Sequence, residues 1–219
     1  MAMRKVLSSS TRSWAASSRH TVDVESVGGV IAARRIAEGE TFDFAVLAAD
    51  ALAALAARGH VVAHTLTPLA RSFTAVAVAT GAKRPDISSE PALRRAVLDA
   101  RSIGCSTGPS GEQLVRLFER WGIADTLAGR IVQASPGVPV ATLVARGEAE
   151  LGFQQLSELI DVKGVDVVGT LPPDAQPPTC FAGAVCTAAK HPLEARELLG
   201  YIASPAGDAA RRTNGMEAA

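Results

Sequence analysis

The sequence predicts an α/β fold of two lobes, each a mostly parallel sheet flanked by helices, with two crossover strands joining the lobes. Short β-branched runs alternate with Ala- and Leu-rich stretches along the 219 residues, and this alternation is typical of parallel sheets covered by helices. Hydrophobic residues make up 47% of the chain but aromatic residues only 4%, so Ala, Val and Leu must build the core. A chain of this length has room for one large domain or two small lobes.

The first half of the chain supplies nine predicted elements. Residues 21–25 (TVDVE) alternate apolar and polar side chains as a strand does, and Asp50 and Gly59 flank an Ala-rich stretch as an N-cap and a helix end. The predicted strands are residues 5–7, 21–25, 42–48, 60–67 and 72–80. The predicted helices are residues 11–18, 28–37, 51–58 and 91–100.

The second half contains the clearest helix. After a strand at residues 102–105 and six small or turn-type residues at 106–111, apolar side chains fall at i, i+3, i+4 and i+7, and Gly122 ends the pattern. Pro139 fits the first turn of a further helix. The remaining predicted strands are residues 130–133, 151–153, 165–169 and 179–187, and the remaining helices are residues 137–146, 155–159, 192–203 and 205–215.

The order of these elements predicts where the lobes divide. If the strand at 72–80 leaves one sheet and the strand at 179–187 returns to it, residues 1–75 and 185–219 form lobe 1. Residues 76–184 then form lobe 2, and we expect a ligand cleft between the lobes.

Charge and composition exclude several classes of partner. The 22 basic and 22 acidic residues balance, and without a basic stripe we expect no nucleic acid partner. No apolar stretch approaches the ~18–20 residues of a membrane span, so we expect no membrane insertion. The chain begins without the apolar run of a signal peptide. The sequence as it stands therefore predicts a cytoplasmic protein, or a periplasmic one if a signal was removed.

Cysteine and histidine spacing argues against a metal site. The cysteines at 105, 180 and 186 form no CxxC pair, and the four histidines are scattered. We expect three free thiols, with a Cys180–Cys186 bridge as the alternative, and neither a metal nor a cofactor.

Small and polar residues precede several predicted helices. The start of a helix offers unpaired N–H groups and partial positive charge, hydroxyls add donors, and glycine lets the backbone come close to an anion. Four such turns meeting at the carboxyl ends of strands would form an anion site, although ordinary helix capping explains each turn alone. The candidates are Ser8, Ser9 and Ser10; Ser26, Gly28 and Gly29; Ser106, Thr107, Ser110 and Gly111; and residues 135–137.

Other side chains are candidates for binding an acid. Arg71, beside Ser72 at the start of the first crossover strand, suits a carboxylate, unless it is a solvated strand end. Gln154 and Gln155 follow a strand, so one amide can point inward to donate and accept, unless both lie at the surface.

Few groups suit proton transfer. Glu25 precedes the turn at Ser26, Glu112 lies in the first turn of the helix after Gly111, and Cys105 ends a strand near the same turn. A role in the helix dipole is the alternative for Glu112, and a packed thiol is the alternative for Cys105.

Three stretches carry a resemblance to a known family: residues 42–61, 102–123 and 137–159, the last with Arg-Gly-Glu-Ala-Glu-Leu-Gly at 146–152. They resemble type II periplasmic solute-binding proteins of the molybdate/tungstate-binding-like branch. The resemblance implies contacts from hydroxyls and N–H groups at helix starts. The positions that match are Ser8, Ser9, Ser26, Gly28, Gly29, Ser110, Gly111, Pro139 and Val140.

The resemblance implies a protein that binds a small oxyanion or organic acid and delivers it to an ABC permease. The branch often has a tyrosine after the Leu-Gly strand, whereas this chain has Gly152-Phe153-Gln154-Gln155. That departure questions molybdate as the ligand. Aconitate isomerase is built on the same scaffold, so the alternative function is an isomerase of a tricarboxylic acid, with Glu25, Cys105 or Glu112 as the proton carrier.

Overall fold

The structure is a computed structural model that describes residues 2–135 and 137–219. The chain divides into two compact units. Unit 1 comprises Met1–Ser72 and Cys180–Ala219, and unit 2 comprises Phe73–Thr179. In the described ranges, no helix is both long enough and apolar enough to cross a membrane.

The elements follow one another in a mixed α/β order. The helices are α1 (Arg4–Ser18), α2 (Gly29–Ala37), α3 (Ala49–Ala57), α4 (Glu90–Asp99), α5 (Pro109–Arg120), α6 (Ala124–Leu127), α7 (Val140–Ala145), α8 (Leu156–Leu159), α9 (Pro192–Ala203) and α10 (Asp208–Thr213). The strands are β1 (Phe44–Ala48), β2 (Thr67–Ser72), β3 (Thr74–Ala79), β4 (Ile103–Cys105), β5 (Ile131–Gln133), β6 (Leu151–Gln155), β7 (Val165–Thr170), β8 (Thr179–Val185) and β9 (Met216–Glu217).

Unit 1 contains a four-stranded sheet in the order β1-β8-β2-β9. β1 is antiparallel to β8, and β2 is antiparallel to β9. Successive side chains of β1 enter different cores: Val46 packs with α1 and α9, whereas Leu47 packs with α2 and α3. Helices therefore cover both faces of this sheet.

Unit 2 contains a five-stranded sheet in the order β5-β4-β6-β3-β7. β4 is parallel to β5 and β6, whereas β3 is antiparallel to both β6 and β7. The strands are thus more mixed in direction than the sequence predicts. The reason is the path of the chain: helices connect β4, β5 and β6, as parallel strands require, but β3 follows β2 after one residue and needs no crossover helix.

Two glycines lie side by side in this sheet and allow α7 to pack close to it. Gly104 pairs with Gly152 across β4 and β6. A Cβ at Gly152 would lie 2.4 Å from Val144 Cγ2, and one at Gly104 would lie 2.9 Å from Ala149 Cβ. A larger residue at Gly152 would overlap Val144 of α7, and one at Gly104 would crowd Ala149 and Val140, so either would require these neighbours to shift.

The prediction of a strand at residues 5–7 is wrong, because these residues lie within α1. Val6, Leu7, Thr11 and Trp14 are all buried, and their spacing places them on one helical face. A three-residue apolar run fits a strand or a helix equally well, and here the wider pattern decides.

The predicted strand at residues 21–25 is also wrong, because no strand is assigned between α1 and β1. Its side chains still alternate between exposed and half-buried, as the sequence predicts. A strand also requires a hydrogen-bonded neighbour, and no described strand pairs with this segment.

Smaller corrections concern the ends of elements. Asp50 lies in the first turn of α3 with Ala48 at the N-cap, so Asp50 is not the capping residue. Residues 60–66 form an isolated bridge at Val61 and a short 3₁₀ turn rather than a strand, and strand β2 begins only at Thr67. α7 begins at Val140, three residues later than predicted, with Pro139 at its N-cap.

Candidate polar site in unit 2

Polar residues gather at one edge of the unit 2 sheet. β4 and β6 run parallel with Cys105 beside Phe153, and Thr74 at the start of β3 pairs with Gln155 at the end of β6. The ends of β4 and β6 and the start of β3 therefore share an edge, from which α5 and α8 begin. We call the following residues the polar edge: Thr74, Ser106, Ser110, Gln113, Gln154, Gln155, Glu158, Gln176 and Thr179.

The turn that starts α5 is closely packed. Ser106 Oγ lies 3.1 Å from Ser110 Oγ and accepts a bond of 3.3 Å from the Gly108 N–H. A Cβ at Gly111 would lie 1.8 Å from the Ser106 carbonyl oxygen, so this position requires glycine. Thr107 lies in the same turn, and the turn brings together the hydroxyls that the sequence singles out.

Gln154 fixes the start of α7. Its Oε1 accepts a bond of 2.9 Å from the Val140 N–H, and its Nε2 donates to the Glu158 carboxylate. The Val140 N–H, which the family resemblance assigns to the ligand, is therefore bonded to the protein.

Glu158 is a residue that the sequence analysis did not select. It is half-buried in α8, and burial raises the pKa of its carboxyl group, partly offset by the hydrogen bond from Gln154. A carboxyl group four residues after Gln154 lies one helical turn away when a helix begins between them. This spacing is the only feature of the sequence that could have indicated Glu158 as a site residue.

A network of uncharged side chains completes the polar edge. Gln155 Nε2 donates to Thr179 Oγ1 at 2.8 Å, and Thr179 Oγ1 donates to Gln113 Oε1 at 3.3 Å. Gln176 Nε2 donates to Thr74 Oγ1 at 3.0 Å and also to Gln113 Oε1. Gln176 and Thr179 come from a segment that carries no recognisable motif, whereas Gln113 belongs to the amphipathic α5, and only the fold brings the three together.

Two oxygens in this network are buried without a hydrogen-bond partner: Gln155 Oε1 and Gln176 Oε1. Leaving a buried acceptor unpaired costs about 1–3 kcal/mol. A ligand that brings a hydroxyl or a protonated carboxyl group to this edge would recover that energy. The arrangement therefore suits a small molecule with both acceptors and a donor.

The first predicted serine turn is not a turn. Ser8, Ser9 and Ser10 lie in the middle of α1, with Ser8 and Ser9 exposed and Ser10 buried. The reason is the same as for residues 5–7: the buried face of α1 runs through both segments. Inside a helix these serines have no free backbone N–H groups beside them.

The second turn forms as predicted. Gly28 is the N-cap of α2, which begins at Gly29. Ser26 and Ser8 line the same cavity in unit 1, of about 430 Å³, together with Arg4 and Arg12. The structure thus brings together two of the predicted serines, although on different elements from those expected.

Arg71 and Ser72 lie on β2 in unit 1. The exposed Arg71 guanidinium contacts Glu217 at 3.0 Å and donates to the Ala218 carbonyl oxygen at 3.2 Å. Ser72 is fully buried, and its Oγ has no partner.

The three predicted proton carriers, Glu25, Glu112 and Cys105, lie in three different environments. Arg35 contacts both carboxylate oxygens of Glu25, at 2.5 and 2.9 Å, and its hydrogen bonds lower the pKa of Glu25. Glu112 is exposed and pairs with Arg116 at 3.4 Å. Cys105 is buried, and burial raises the pKa of its thiol.

The structure describes Cys105, Cys180 and Cys186 as free thiols. Within residues 2–135 and 137–219, no three His, Cys, Asp or Glu side chains are grouped as metal ligands would be. The predicted turn at 135–137 includes Pro136, which lies outside the described residues.

Comparison with known proteins gives two kinds of similarity. Residues 1–217 match the family model described as bacterial extracellular solute-binding protein. An aconitate isomerase from Pseudomonas sp is 40% identical over 184 residues, which cover 84% of this chain and 70% of that protein.

Solved structures show the same fold at much lower identity. The periplasmic molybdate-binding protein of Azotobacter vinelandii superposes with a TM-score of 0.81 at 18% identity, covering 98% of this chain and 95% of that chain. The tungstate ABC transporter protein of Geobacter sulfurreducens gives a TM-score of 0.75 at 15% identity, covering 96% and 94%. These similarities confirm the predicted two-lobe α/β fold. Together with the family match, they show that the chain belongs to the bacterial extracellular solute-binding protein family.

Proposed function

We propose that this protein binds a small organic polyacid of the aconitate class at the polar edge of unit 2. The observation that carries this proposal is the set of uncharged hydroxyl and amide groups gathered beside the start of α5. Neutral donors at a helix N-terminus bind anions without a fixed positive charge. They also bind without the large desolvation cost of burying a lysine or arginine.

An organic polyacid fits this edge better than a tetrahedral oxyanion does. Molybdate, tungstate and sulfate are fully deprotonated at neutral pH and offer only acceptors, whereas Gln155 Oε1 and Gln176 Oε1 are buried acceptors that need a donor. A polyacid can present a protonated carboxyl group to them and a carboxylate to the serine hydroxyls. The relative with the higher sequence identity is also an enzyme named for a tricarboxylic acid.

Membership of the solute-binding family supports a role in uptake, in which the loaded protein delivers its ligand to an ABC permease. Binding without turnover is the activity that this role requires. The ligand would be bound and released unchanged.

Isomerisation is the second candidate function, and Glu158 is the observation that favours it. Its pKa is raised by burial, which brings a carboxyl group closer to the range useful for proton transfer at neutral pH. As a carboxylate it would take a proton from the ligand carbon beside a carboxylate, while the double bond shifts. It would then return the proton to the far end of the shifted bond, so that the acid is isomerised and Glu158 is regenerated.

A thermal-shift screen tests the binding proposal. cis-Aconitate, trans-aconitate, citrate, molybdate, tungstate, sulfate and phosphate are added singly, and the melting temperature is measured. A ligand at ~100 times its Kd adds about 2.7 kcal/mol, which for a chain of this size is roughly 5–10 °C. A shift with molybdate or tungstate but none with the tricarboxylates would contradict the proposal.

Two variants locate the site. Ser110→Ala removes a buried hydroxyl of the polar edge and is expected to reduce the ligand-induced shift. Glu112→Gln, on the exposed side of the same helix, is the matched control and should leave the shift unchanged. Equal shifts in both variants would place the ligand elsewhere.

A proton-exchange assay separates binding from isomerisation. Purified protein is incubated with trans-aconitate in D₂O, and cis-aconitate and deuterium incorporation are followed by NMR. If the protein is an isomerase, both appear, and Glu158→Gln abolishes them while the thermal shift persists. A thermal shift without exchange would leave the binding role and reject the isomerase.

A further inference from the structure

Unit 1 contains a groove that the polar edge and the proposed function do not involve. Its volume is about 720 Å³, and it lies between β1 and residues 21–25. We call it the strand groove. Its lining includes Leu7 and Trp14 of α1, Val22, Val24, Val46 and Leu198.

One wall of the strand groove is an unpaired sheet edge. β1 is the terminal strand of its sheet, with β8 on one side and no described strand on the other. The Cys186 N–H donates to the Asp43 carbonyl oxygen at 3.1 Å. Because bonding alternates along an antiparallel pair, Ala45 and Leu47 also bond to β8. The backbone groups of Phe44 and Val46, which line the groove, therefore point away from β8 and into it.

The opposite wall has the pattern of a strand without a neighbour. Between Thr21 and Glu25 the side chains alternate between exposed and half-buried, and Val22 and Val24 pack against the core shared by α1 and α9. An added strand would thus lie between two segments that both have strand-like side-chain patterns.

Apolar side chains cover both faces of the position between these walls. Leu7, Trp14 and Leu198 belong to the core on one face, and Ile36 and Leu47 belong to the core on the other. A strand covered on both faces is apolar throughout rather than at alternate positions. This requirement defines the side chains of the occupant.

Charge at the groove also favours a neutral occupant. The lining carries three basic side chains and four acidic ones, namely Arg19, Arg35, Lys190, Asp23, Glu25, Asp43 and Glu194. Both signs are present in nearly equal number, and Arg35 is already paired with Glu25 and Glu40. The groove therefore does not resemble a site for a small anion.

We propose that the strand groove binds an extended, continuously apolar peptide segment of about five residues, which pairs with β1 as an added strand. The length follows from the five residues of β1, since strands in register advance together by about 3.3 Å per residue. Backbone bonds to β1 would supply affinity, and the two apolar faces would supply selectivity, as in other cases of strand addition.

A synthetic peptide tests this assignment on the intact chain. The probe is acetyl-Lys-Gly-Val-Ile-Val-Leu-Val-Gly-Lys-amide, and the matched control carries proline at the central valine, which removes one N–H donor and disfavours strand pairing. Binding is measured from the change in tryptophan fluorescence, since Trp14 lines the groove, and from the melting temperature. Amide hydrogen exchange is measured over residues 21–25 and 42–48.

The expected result is saturable binding that slows exchange at residues 42–48 and raises the melting temperature, with at least tenfold weaker binding of the proline peptide. A variant adds a second test: Val46→Asp should weaken binding at least tenfold, whereas Val115→Asp, at an exposed site in unit 2, should not. Far-ultraviolet circular dichroism establishes that each variant is folded. The comparison of the two peptides needs no variant.

Several outcomes would overturn the proposal. The first is a lack of binding at about 1 mM peptide, a concentration at which even a weak Kd would be detected. The others are equal binding of the proline peptide and slowed exchange outside the two segments. Slowed exchange at residues 42–48 that depends on protein concentration, without peptide, would instead assign the groove to a second copy of the chain.

Discussion

The two sheets differ in how their strands are paired. β3 in unit 2 is hydrogen-bonded on both sides, to β6 and β7, whereas among the described strands only β8 is paired with β1 in unit 1. Residues 21–25 alternate apolar and polar side chains, yet they form no strand. The difference shows that a strand is specified by its partner as much as by its own residues, since strand propensity depends on neighbours.

The units also differ in the polar groups that they bury. Unit 1 buries a charge: the Arg211 side chain is 2% exposed and donates to the carbonyl oxygens of Leu69, Ile202 and Ser204 and to Asp208. Unit 2 buries uncharged amides and leaves two of their oxygens unpaired. Arg211 has partners for both terminal nitrogens, although its Nε is unpaired, whereas the two unpaired amide oxygens of unit 2 belong to one hydrogen-bonded network.

The largest predicted effect comes from removing that buried charge. Arg211→Met leaves three carbonyl oxygens and the Asp208 carboxylate without their donor, and we expect a loss of about 3–5 kcal/mol in the free energy of unfolding. The chain has two tryptophans, Trp14 in unit 1 and Trp121 in unit 2. Urea unfolding is therefore followed by fluorescence in two backgrounds, Trp121→Phe to report on unit 1 and Trp14→Phe to report on unit 2.

Arg212→Met is the control, because Arg212 is exposed and lies 3.8 Å from the same Asp208. It should cost less than about 1 kcal/mol. If both substitutions cost the same, the Arg211 cluster is not what stabilises unit 1.

The second prediction concerns the α5 turn. Gly111→Ala places a Cβ 1.8 Å from the Ser106 carbonyl oxygen, and relieving this overlap should cost about 1–3 kcal/mol and suppress the ligand-induced thermal shift. The melting temperature with and without aconitate measures both effects. Gly129→Ala, in the same unit with nothing within 4 Å of its added Cβ, should change neither. A ligand shift of normal size in Gly111→Ala would remove α5 from the binding site.

A third, smaller effect depends on pH. The folded pKa of Glu158 is raised above its ordinary value of 4.5, so between the two values the folded state holds more protons than the unfolded state. This contribution to stability therefore falls as pH rises from 4.5 through the folded pKa, and above that pKa the cost of the buried charge is complete.

Glu158→Gln removes this dependence and retains an oxygen that can accept from Gln154. We expect the variant to be more stable than the parent at pH 7, with a difference that shrinks as the pH approaches 4.5. Urea unfolding at a series of pH values measures the difference. A difference that is constant with pH would show that Glu158 does not titrate as its burial implies.

The smallest predicted effect is a gain in unit 1. Gly200 lies within α9, and a Cβ there meets nothing within 4 Å. Gly200→Ala should therefore stabilise the chain by about 0.5–1 kcal/mol, because alanine loses less backbone entropy in a helix. The gain should appear in the unfolding monitored by Trp14. A loss of stability would mean that α9 packs more tightly on that side than the structure shows.

Much of the fold could be predicted from the sequence where a local pattern and the final environment agree. The helix after Gly111 is the clearest case: the apolar spacing of Leu114, Leu117 and Phe118 predicts the buried face of α5. Prediction failed at residues 5–7 and 21–25, where short runs fit two structures and the choice depends on residues distant in sequence.

The candidate site was predictable only in part. Ser106, Ser110, Gly111, Gln154 and Gln155 were selected because they stand at the ends of strands, and the structure places them in unit 2 near the edge where β4 and β6 end. Pairings far apart along the chain, such as Gln176 with Thr74 and Gln155 with Thr179, leave no local pattern. Glu158 was missed because its altered pKa arises from burial, which a sequence does not display.

The paired glycines of unit 2 determine how closely α7 packs on the sheet. With no Cβ on Gly104 or Gly152, α7 lies low on the sheet, and the Val140 N–H comes within 2.9 Å of Gln154 Oε1. A methyl group at Gly152 would lie 2.4 Å from Val144 Cγ2, and one at Gly104 would lie 3.0 Å from Val140 Cγ1, so each would press against α7 beside that bond. Two residues without side chains, neither of them in the polar edge, thereby allow the close packing of the helix that Gln154 contacts.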